Sequence, residues 1–138
     1  MPYARISLLK GKSPEYLRAL STNLHQALTE EFNVPPNDCF QIFHQHSQEE
    51  LIFDRHYLGG PRSDDYVLIA ITIGRPRDTQ TKKSFYRRLA SLLETSPGIR
   101  AQDVMVVFNT TQLDDWSFGN GVATLIDDIA SPNTKSSL

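Results

Sequence analysis

The sequence is poor in cysteine: its 138 residues include only Cys39, so no internal disulfide can form. A lone cysteine is typical of proteins in a reducing compartment, and it favours a cytoplasmic location. A nucleophilic thiol needs an electropositive and accessible setting. Because Cys39 opens an apolar run instead, we interpret it as a structural residue.

The sequence also lacks an excess of charge and a long hydrophobic run. Its 14 basic and 16 acidic residues leave a net charge of −2, which indicates neither a nucleic-acid partner nor an anionic membrane surface. No apolar run approaches a membrane span or a signal peptide. With 39% hydrophobic residues the chain can fill one core. We therefore predict a single domain over residues 1–130, followed by a flexible polar tail over residues 131–138.

The first half of the chain reads as a strand, a helix and a second strand. Residues 2–9 alternate as a strand does. Ser13 is the predicted cap of a helix whose apolar residues recur every three or four positions, at Leu17, Leu20, Leu24, Leu28 and Phe32. Asn33 and the two prolines after Val34 end this helix. A second strand is predicted over residues 39–46.

The second half repeats this order. Residues 66–73 are almost continuously apolar, which predicts a central strand covered on both faces. Asp78 or Thr79 caps a second helix that buries Phe85, Leu89, Leu92 and Leu93 and ends at the Pro97-Gly98 pair. A fourth strand follows over residues 104–109. The aperiodic residues 47–65 between the halves form a connector, with at most a short strand at residues 51–53.

The two halves are related by a shift of 65 residues, which carries Asp38 onto Asp103. The same shift carries Leu20, Leu24 and Leu28 of the first helix onto Phe85, Leu89 and Leu93. The repeat units span residues 2–46 and 66–109. Two such units pack best about a pseudo-two-fold axis. We therefore predict a two-layer α+β fold: a four-stranded mixed sheet, parallel within each β-α-β unit, with both helices on one face.

This topology brings four chemically useful groups to one edge of the sheet. The pseudo-two-fold sets the first strand antiparallel to the third, so Pro2 and Asp38 lie at the edge where Arg75 and Arg77 follow the third strand. Paired arginines at a helix N-terminus are suited to binding a carboxylate. The alternative is an ordinary solvated turn.

Pro2 becomes a base only if the initiator methionine is removed. Its nitrogen is then a free secondary amine, and an α-amino group titrates at about 7.7–8.0 when unperturbed. Such a group can act as an acid or a base near neutral pH. With Met1 retained, the same nitrogen is an amide without basicity.

Other polar clusters carry less weight. His44 and His46 share one face of a strand, but that face also carries Phe40 and Ile42 and no third ligand is placed, so core or interface histidines are favoured over a metal site. The acidic pairs at residues 64–65 and 114–115 are explained by turn chemistry. We predict no metal site.

Four motifs together resemble the tautomerase superfamily, and within it the malonate semialdehyde decarboxylase group. They are Pro2 at the processed terminus; Val34-Pro35 with Asp38, Phe40-Gln41 and His44-Gln45-His46; Arg75-Pro76-Arg77 with Phe85-Tyr86; and Asp115-Trp116-Ser117-Phe118-Gly119. The first marks only the superfamily, whereas the paired arginines with the tryptophan segment are more specific. Residues 120–125 depart from the group, which leaves substrate identity open.

The resemblance implies a cofactor-free enzyme that is a homotrimer and acts on a small carboxylated substrate. By this likeness Pro2 is the acid or base, Asp38 tunes it, Arg75 and Arg77 hold the substrate carboxylate, and Trp116 with Phe118 walls the pocket. Simple packing is the alternative for the two aromatic residues. The expected reaction is decarboxylation of a 3-oxo acid such as malonate semialdehyde. The alternatives are keto-enol tautomerisation of 2-oxo acids such as phenylpyruvate, or a catalytically silent trimeric interaction protein.

Overall fold

The computed structural model describes residues 1–127, so the predicted tail at residues 131–138 lies outside the described residues. The first half contains a strand, a helix and a strand, as predicted: β1 (Pro2–Leu9), α1 (Pro14–Phe32) and β2 (Gln41–His46). The second half contains β3 (Val67–Ile73), α2 (Thr79–Thr95), a 3-10 turn (Ala101–Asp103), β4 (Val104–Thr110), a second 3-10 turn (Leu113–Asp115) and a short helix, α3 (Thr124–Asp127).

Local side-chain chemistry sets where both long helices begin and end. The side chain of Ser13 accepts the N–H of Tyr16 at 3.1 Å, and that of Asp78 accepts the N–H of Thr81 at 2.8 Å. Each cap satisfies one of the N–H groups that a helix start leaves unpaired. Asn33 ends α1 with a φ of 56°, the left-handed conformation that asparagine tolerates.

The sheet has the strand order β2-β1-β3-β4. β1 is parallel to β2, β3 is parallel to β4, and β1 is antiparallel to β3 with Pro2 opposite Ile73. The predicted four-stranded mixed sheet is therefore confirmed. The start of β1 and the end of β3 share one edge of the sheet, as the repeat required.

The core lies between one face of the sheet and the two helices. Alternate residues of the two central strands are fully buried there: Ala4, Ile6, Leu8, Val67, Ile69, Ile71 and Ile73. Phe32 of α1 and Phe85 of α2 pack with ring centroids 5.0 Å apart, and each lies within 5.4 Å of the ring of Phe108 on β4. These three rings join both helices to the sheet.

The structure covers one face of the third strand, and cover of its other face stays a prediction because a single chain provides none. Leu68, Ala70 and Thr72 are only half-buried, because both helices pack on the other face. Phe40 and Ile42 are also exposed on this open face of the sheet, by 51% and 45%.

Three local predictions also need correction. β2 begins at Gln41, because residues before it form a turn in which the N–H of Asp38 donates to the carbonyl of Pro35. Cys39 is consequently exposed, not part of an apolar run. Residues 51–53 form no strand, since the connector is organised by local bonds such as those from two backbone N–H groups to Asp54.

Candidate functional site

The candidate site lies at the edge where β1 begins and β3 ends. Pro2 is buried and paired with Ile73, and the next N–H along, that of Gly74, donates to the carbonyl of Met1 at 3.1 Å. Asp38 reaches the same point from the turn before β2. The structure thus brings the amino terminus and Asp38 together, as the topology predicted.

Met1 and Asp38 form a buried ion pair. The α-ammonium of Met1 lies 3.2 Å from Oδ2 of Asp38, and the two residues are 6% and 8% exposed. Within residues 1–127 this oxygen has no well-angled hydrogen-bond donor. The carboxylate therefore acts on the terminus mainly through its charge.

The pKa of the terminal ammonium is lowered by its surroundings. Burial is the largest cause, the charge of Asp38 opposes it, and the positive charges of Arg77 and Arg75 lower the pKa further. Asp38, Arg75 and Arg77 therefore all influence the proton on the terminal amine. An amine whose pKa is lowered toward neutral pH can act more readily as an acid or a base there.

The two arginines differ in how they are held. Arg77 is half-buried: Nη1 donates to the carbonyl of Arg75 at 2.8 Å, Nη2 donates to the carbonyl of Phe32 at 3.2 Å, and the guanidinium lies 5.0 Å from the ring centre of Phe32. Burial and Arg75 lower its pKa. Arg75 is exposed. Arg77 is thus anchored to the end of α1, whereas Arg75 is free to reach a ligand.

A chain of hydrogen bonds fixes the position of Trp116. Its indole N–H donates to Oγ1 of Thr111 at 2.7 Å, and this hydroxyl donates to the carbonyl of Ile73 at 2.9 Å. The ring of Trp116 stacks on Phe118 with centroids 5.7 Å apart, and Phe118 lies 5.6 Å from Phe40. The three aromatic rings form a row beside the amino terminus.

A cavity of about 190 Å³ opens between the terminus and this row. Its lining includes two predicted residues, Asp38 and Phe118, whereas Pro2, Arg75, Arg77 and Trp116 lie outside it. The full lining is Met1, Asn37, Asp38, Phe40, Phe118, Thr124 and Leu125.

Sequence reasoning missed several of these residues. Phe40 belongs to a recognised motif, but its outward position follows only from the late start of β2. Thr124 and Leu125 lie in a four-residue helix too short to show a periodic signal, and Oγ1 of Thr124 accepts the N–H of Phe118 at 2.9 Å. The local pairing of α3 with the aromatic row brings both residues to the cavity.

A larger cavity, about 680 Å³, lies at the other end of the sheet. Three of its lining residues, Tyr66, Gln102 and Met105, are 65 positions after Met1, Asn37 and Phe40, so it is the pseudo-two-fold counterpart of the first. The counterpart of Asp38 is Asp103, which is fully buried and accepts the N–H and the hydroxyl of Ser63 at 2.7 and 2.6 Å. Its lining within residues 1–127 includes no chain terminus and no lysine, so these residues offer no amine.

The histidines on β2 do not assemble a metal site in the described part of the chain. The rings of His44 and His46 stack with centroids 6.3 Å apart, and Nε2 of His44 accepts a hydrogen bond from Nε of Arg5 at 3.2 Å. Among residues 1–127, no three His, Cys, Asp or Glu side chains are placed to hold a metal ion. His44 therefore bridges neighbouring strands.

The acidic pairs are largely engaged in local structure. Asp64 pairs with Arg55 at 2.8 Å, and Asp65 pairs with Lys12. Asp115 accepts the N–H of Gln112 at 2.8 Å and closes the second 3-10 turn. Asp115 thus shows the expected turn chemistry, whereas Asp64 and Asp65 are held by ion pairs between side chains.

Known proteins align with this chain over nearly its whole length. Two models of tautomerase enzymes match, one over residues 38–119 and the other over residues 2–60. The probable tautomerase YusQ of Bacillus subtilis strain 168 is 39% identical over 92% of this chain and its own full length. The probable tautomerase YrdN of the same organism is 34% identical over 91% of this chain and 97% of its own.

Solved structures agree with this relationship. A malonate semialdehyde decarboxylase is 34% identical, with a TM-score of 0.82 over 88% of this chain and 94% of its own. The FG41 malonate semialdehyde decarboxylase, inhibited by 3-bromopropiolate, is 30% identical, with a TM-score of 0.84 over 94% and 99%. A fused 4-OT that forms a symmetric trimer shares the fold at 19% identity and a TM-score of 0.70, over 87% and 94%. Within residues 1–127, no helix is long and apolar enough to cross a membrane.

Proposed function

Because the chain belongs to the tautomerase superfamily of enzymes, we propose that it acts on a small oxo-carboxylic acid through an amino-terminal Pro2, without a cofactor. The reaction we favour is decarboxylation of a 3-oxo acid resembling malonate semialdehyde. The 34% and 30% identity to two malonate semialdehyde decarboxylases supports this choice. We place the enzyme in the cytoplasm, in keeping with its single cysteine.

One observation carries the proposal: the amino terminus lies in a buried ion pair with Asp38 at 3.2 Å. A buried amine costs free energy unless it is compensated, so a chain terminus is rarely enclosed without a reason. After removal of Met1, the nitrogen of Pro2 takes over the role of terminal amine. Asp38 then favours its protonated form, which is the form that can polarise a carbonyl group.

In this mechanism Pro2 and Asp38 act on the carbonyl end of the substrate. Protonated Pro2 donates to the carbonyl oxygen of the 3-oxo acid. When the bond to the carboxylate carbon breaks, its electron pair moves toward that oxygen and carbon dioxide leaves. A positive charge beside the oxygen stabilises the negative charge that develops there.

Arg75 and Arg77 act on the carboxylate end in this proposal. The positive charges of both arginines lower the pKa of the terminal amine, so both are close enough to act on a substrate bound there. Arg75 is the mobile partner that would contact the carboxylate, and Arg77 adds a fixed positive charge. Trp116 and Phe118 supply an apolar wall, which favours loss of the charged carboxylate as neutral carbon dioxide.

We propose a homotrimer as the working assembly. The open face of the sheet exposes apolar side chains, among them Ile42 by 45%, Met105 by 44% and Val107 by 47%. A monomeric protein rarely leaves a contiguous apolar face of this kind uncovered. The fused 4-OT of the same fold forms a symmetric trimer, which suggests the assembly that would cover it.

The proposal is tested with Pro2→Ala in protein whose intact mass shows that Met1 has been removed. Carbon dioxide release from malonate semialdehyde should fall by orders of magnitude while the circular dichroism spectrum stays unchanged. Borohydride trapping should accompany the assay, because a primary amine can also form an imine. Wild-type turnover by this variant would remove Pro2 from the mechanism.

Keto-enol tautomerisation is the second candidate, since both curated Bacillus relatives are named probable tautomerases. A tautomerase needs a neutral Pro2 that accepts a proton, whereas the decarboxylase needs a protonated one. Parallel assays of phenylpyruvate enolisation and of malonate semialdehyde decarboxylation separate the two. A silent interaction protein is the remaining alternative, and it predicts neither activity and no need for a free Pro2 amine.

A further inference from the structure

The backbone N–H of Gly74 points at the place where Pro2 would react. Gly74 directly follows β3, and its N–H donates to the carbonyl oxygen of Met1 at 3.1 Å, which extends the pairing of Pro2 with Ile73. The carbonyl carbon of Met1 is bonded to the nitrogen of Pro2. By peptide geometry, its oxygen therefore lies roughly 2.3 Å from that nitrogen.

Removal of Met1 takes this acceptor away from Gly74. An oxygen of a bound molecule that replaces it, at about 3 Å from the Gly74 nitrogen, is also within hydrogen-bond reach of the free Pro2 nitrogen. A buried N–H that loses its partner costs free energy until another acceptor arrives. The carbonyl of Met1 thus marks a position where a ligand oxygen meets two donors.

Residue 74 has little room for a side chain, because Met1 and Trp116 lie close to where its Cβ would be. A Cβ built on Gly74 would lie 2.9 Å from Cβ of Met1 and 3.5 Å from the indole nitrogen of Trp116. Gly74 is not among the glycines with positive φ, so its backbone conformation does not require glycine. A side chain here would occupy the space between Met1 and Trp116.

We propose that the N–H of Gly74 and the protonated nitrogen of Pro2 together bind the carbonyl oxygen of a 3-oxo acid. This inference rests on the proposed function and adds a catalytic residue to it. When the bond between C2 and the carboxylate carbon breaks, its electron pair forms the C2–C3 double bond of an enolate and carbon dioxide leaves. The charge develops on the oxygen between the two donors, and the enolate then takes one proton at C2 from Pro2 or water.

An amide-to-ester substitution at residue 74, made in the Met1-free protein, replaces the N–H by an oxygen atom of similar size and adds no side chain. We expect kcat to fall by about 10²–10³-fold with KM little changed, as for the loss of one donor to a developing oxyanion. The control is the same substitution at Lys10, whose N–H donates to the carbonyl of His46 at 2.9 Å at the other end of the sheet. A residue-74 ester as active as this control would overturn the proposal.

Hydrogen exchange at Gly74 tests the placement without an activity assay. The Gly74 N–H should exchange slowly in protein that keeps Met1 and faster in Met1-free protein. Acetonylphosphonate, a 3-oxo acid analogue that cannot lose carbon dioxide, should slow it again, whereas propylphosphonate, which lacks the carbonyl, should not.

The outcomes separate this inference from the proposed function. Equal exchange at Gly74 in the two proteins, or no protection by acetonylphosphonate, would overturn the two-donor site even in an active decarboxylase. Protection by acetonylphosphonate in a protein that decarboxylates none of the 3-oxo acids would keep the oxygen site and reject the decarboxylase.

Discussion

Replacing Asp38 by asparagine tests how the amino terminus is tuned, because it removes one charge and keeps the shape of the side chain. Asp38 raises the pKa of the terminal amine, while burial, the larger effect, and the two arginines lower it. In Met1-free protein the same neighbours surround Pro2. Without Asp38 only the lowering effects remain, so the Pro2 pKa must fall.

The size of the fall follows from Coulomb's law. At the 3.2 Å of the Met1–Asp38 pair, opposite unit charges interact by roughly 1 kcal/mol in water and roughly 5 kcal/mol at an effective dielectric constant of about 20. These energies correspond to about 1 and 4 pKa units. The Pro2 nitrogen is one residue further along the chain, so we expect a fall of about 1–3 units, the usual effect of a carboxylate within about 4–6 Å.

Nitrogen NMR of labelled Pro2, titrated in both proteins, measures this shift directly. The alkaline limb of the decarboxylation profile should move to lower pH by the same amount, because each unit removes about nine-tenths of the protonated amine at a pH above both pKa values. Asp64→Asn, which removes a surface charge that pairs with Arg55, is the matched control and should leave Pro2 unchanged. An unchanged Pro2 pKa in Asp38→Asn would refute the reasoning.

Three further predictions concern the surroundings of the site and the other end of the sheet. Arg75→Ala should raise KM with little effect on Tm, whereas Arg77→Ala should also cost about 1–2 kcal/mol of unfolding free energy in a denaturant titration, since it donates to the end of α1. Thr111→Val should free Trp116, the sole tryptophan, and increase quenching of its fluorescence by acrylamide. Burial raises the pKa of Tyr16 to about 12, so folding stability should fall as the pH rises from about 10 to about 12, and Tyr16→Phe should flatten that fall.

Much of the fold could be predicted because local chemistry and periodicity agree. Ser13 and Asp78 cap the helices that the apolar spacing predicts, and the shift of 65 residues fixes the pseudo-two-fold. That symmetry makes β1 antiparallel to β3, and the structure places the two side by side at the centre of the sheet. The short strand predicted at residues 51–53 of the connector is absent, because these residues have the composition of a strand but no strand lies beside them to pair with.

The sequence predicted which strand and helix ends come together at the candidate site, but it did not predict the contacts between their side chains. Pro2, Asp38, Arg75 and Arg77 reach one edge because strand direction alone decides which ends are neighbours. Nothing in the local sequence indicates that Arg77 is held by the carbonyl of Phe32, a residue 45 positions away. Contacts of this kind depend on how helix α1 ends against the second unit.

The sequence by itself determined the helix caps and the buried faces, since each of these depends on residues within a turn or two of one another. It also determined the repeat, which is visible as matching residues 65 positions apart. Only the tertiary structure decided what lies within a few ångströms of the amino terminus. Asp38 and Gly74 come from separate strand ends, and Phe40 and Trp116 form the row of rings beside it. The distances between these residues are set by the register of the sheet and by the packing of α3. Hydrogen bonds between segments that are distant in the sequence fix these positions, and local sequence spacing does not determine them.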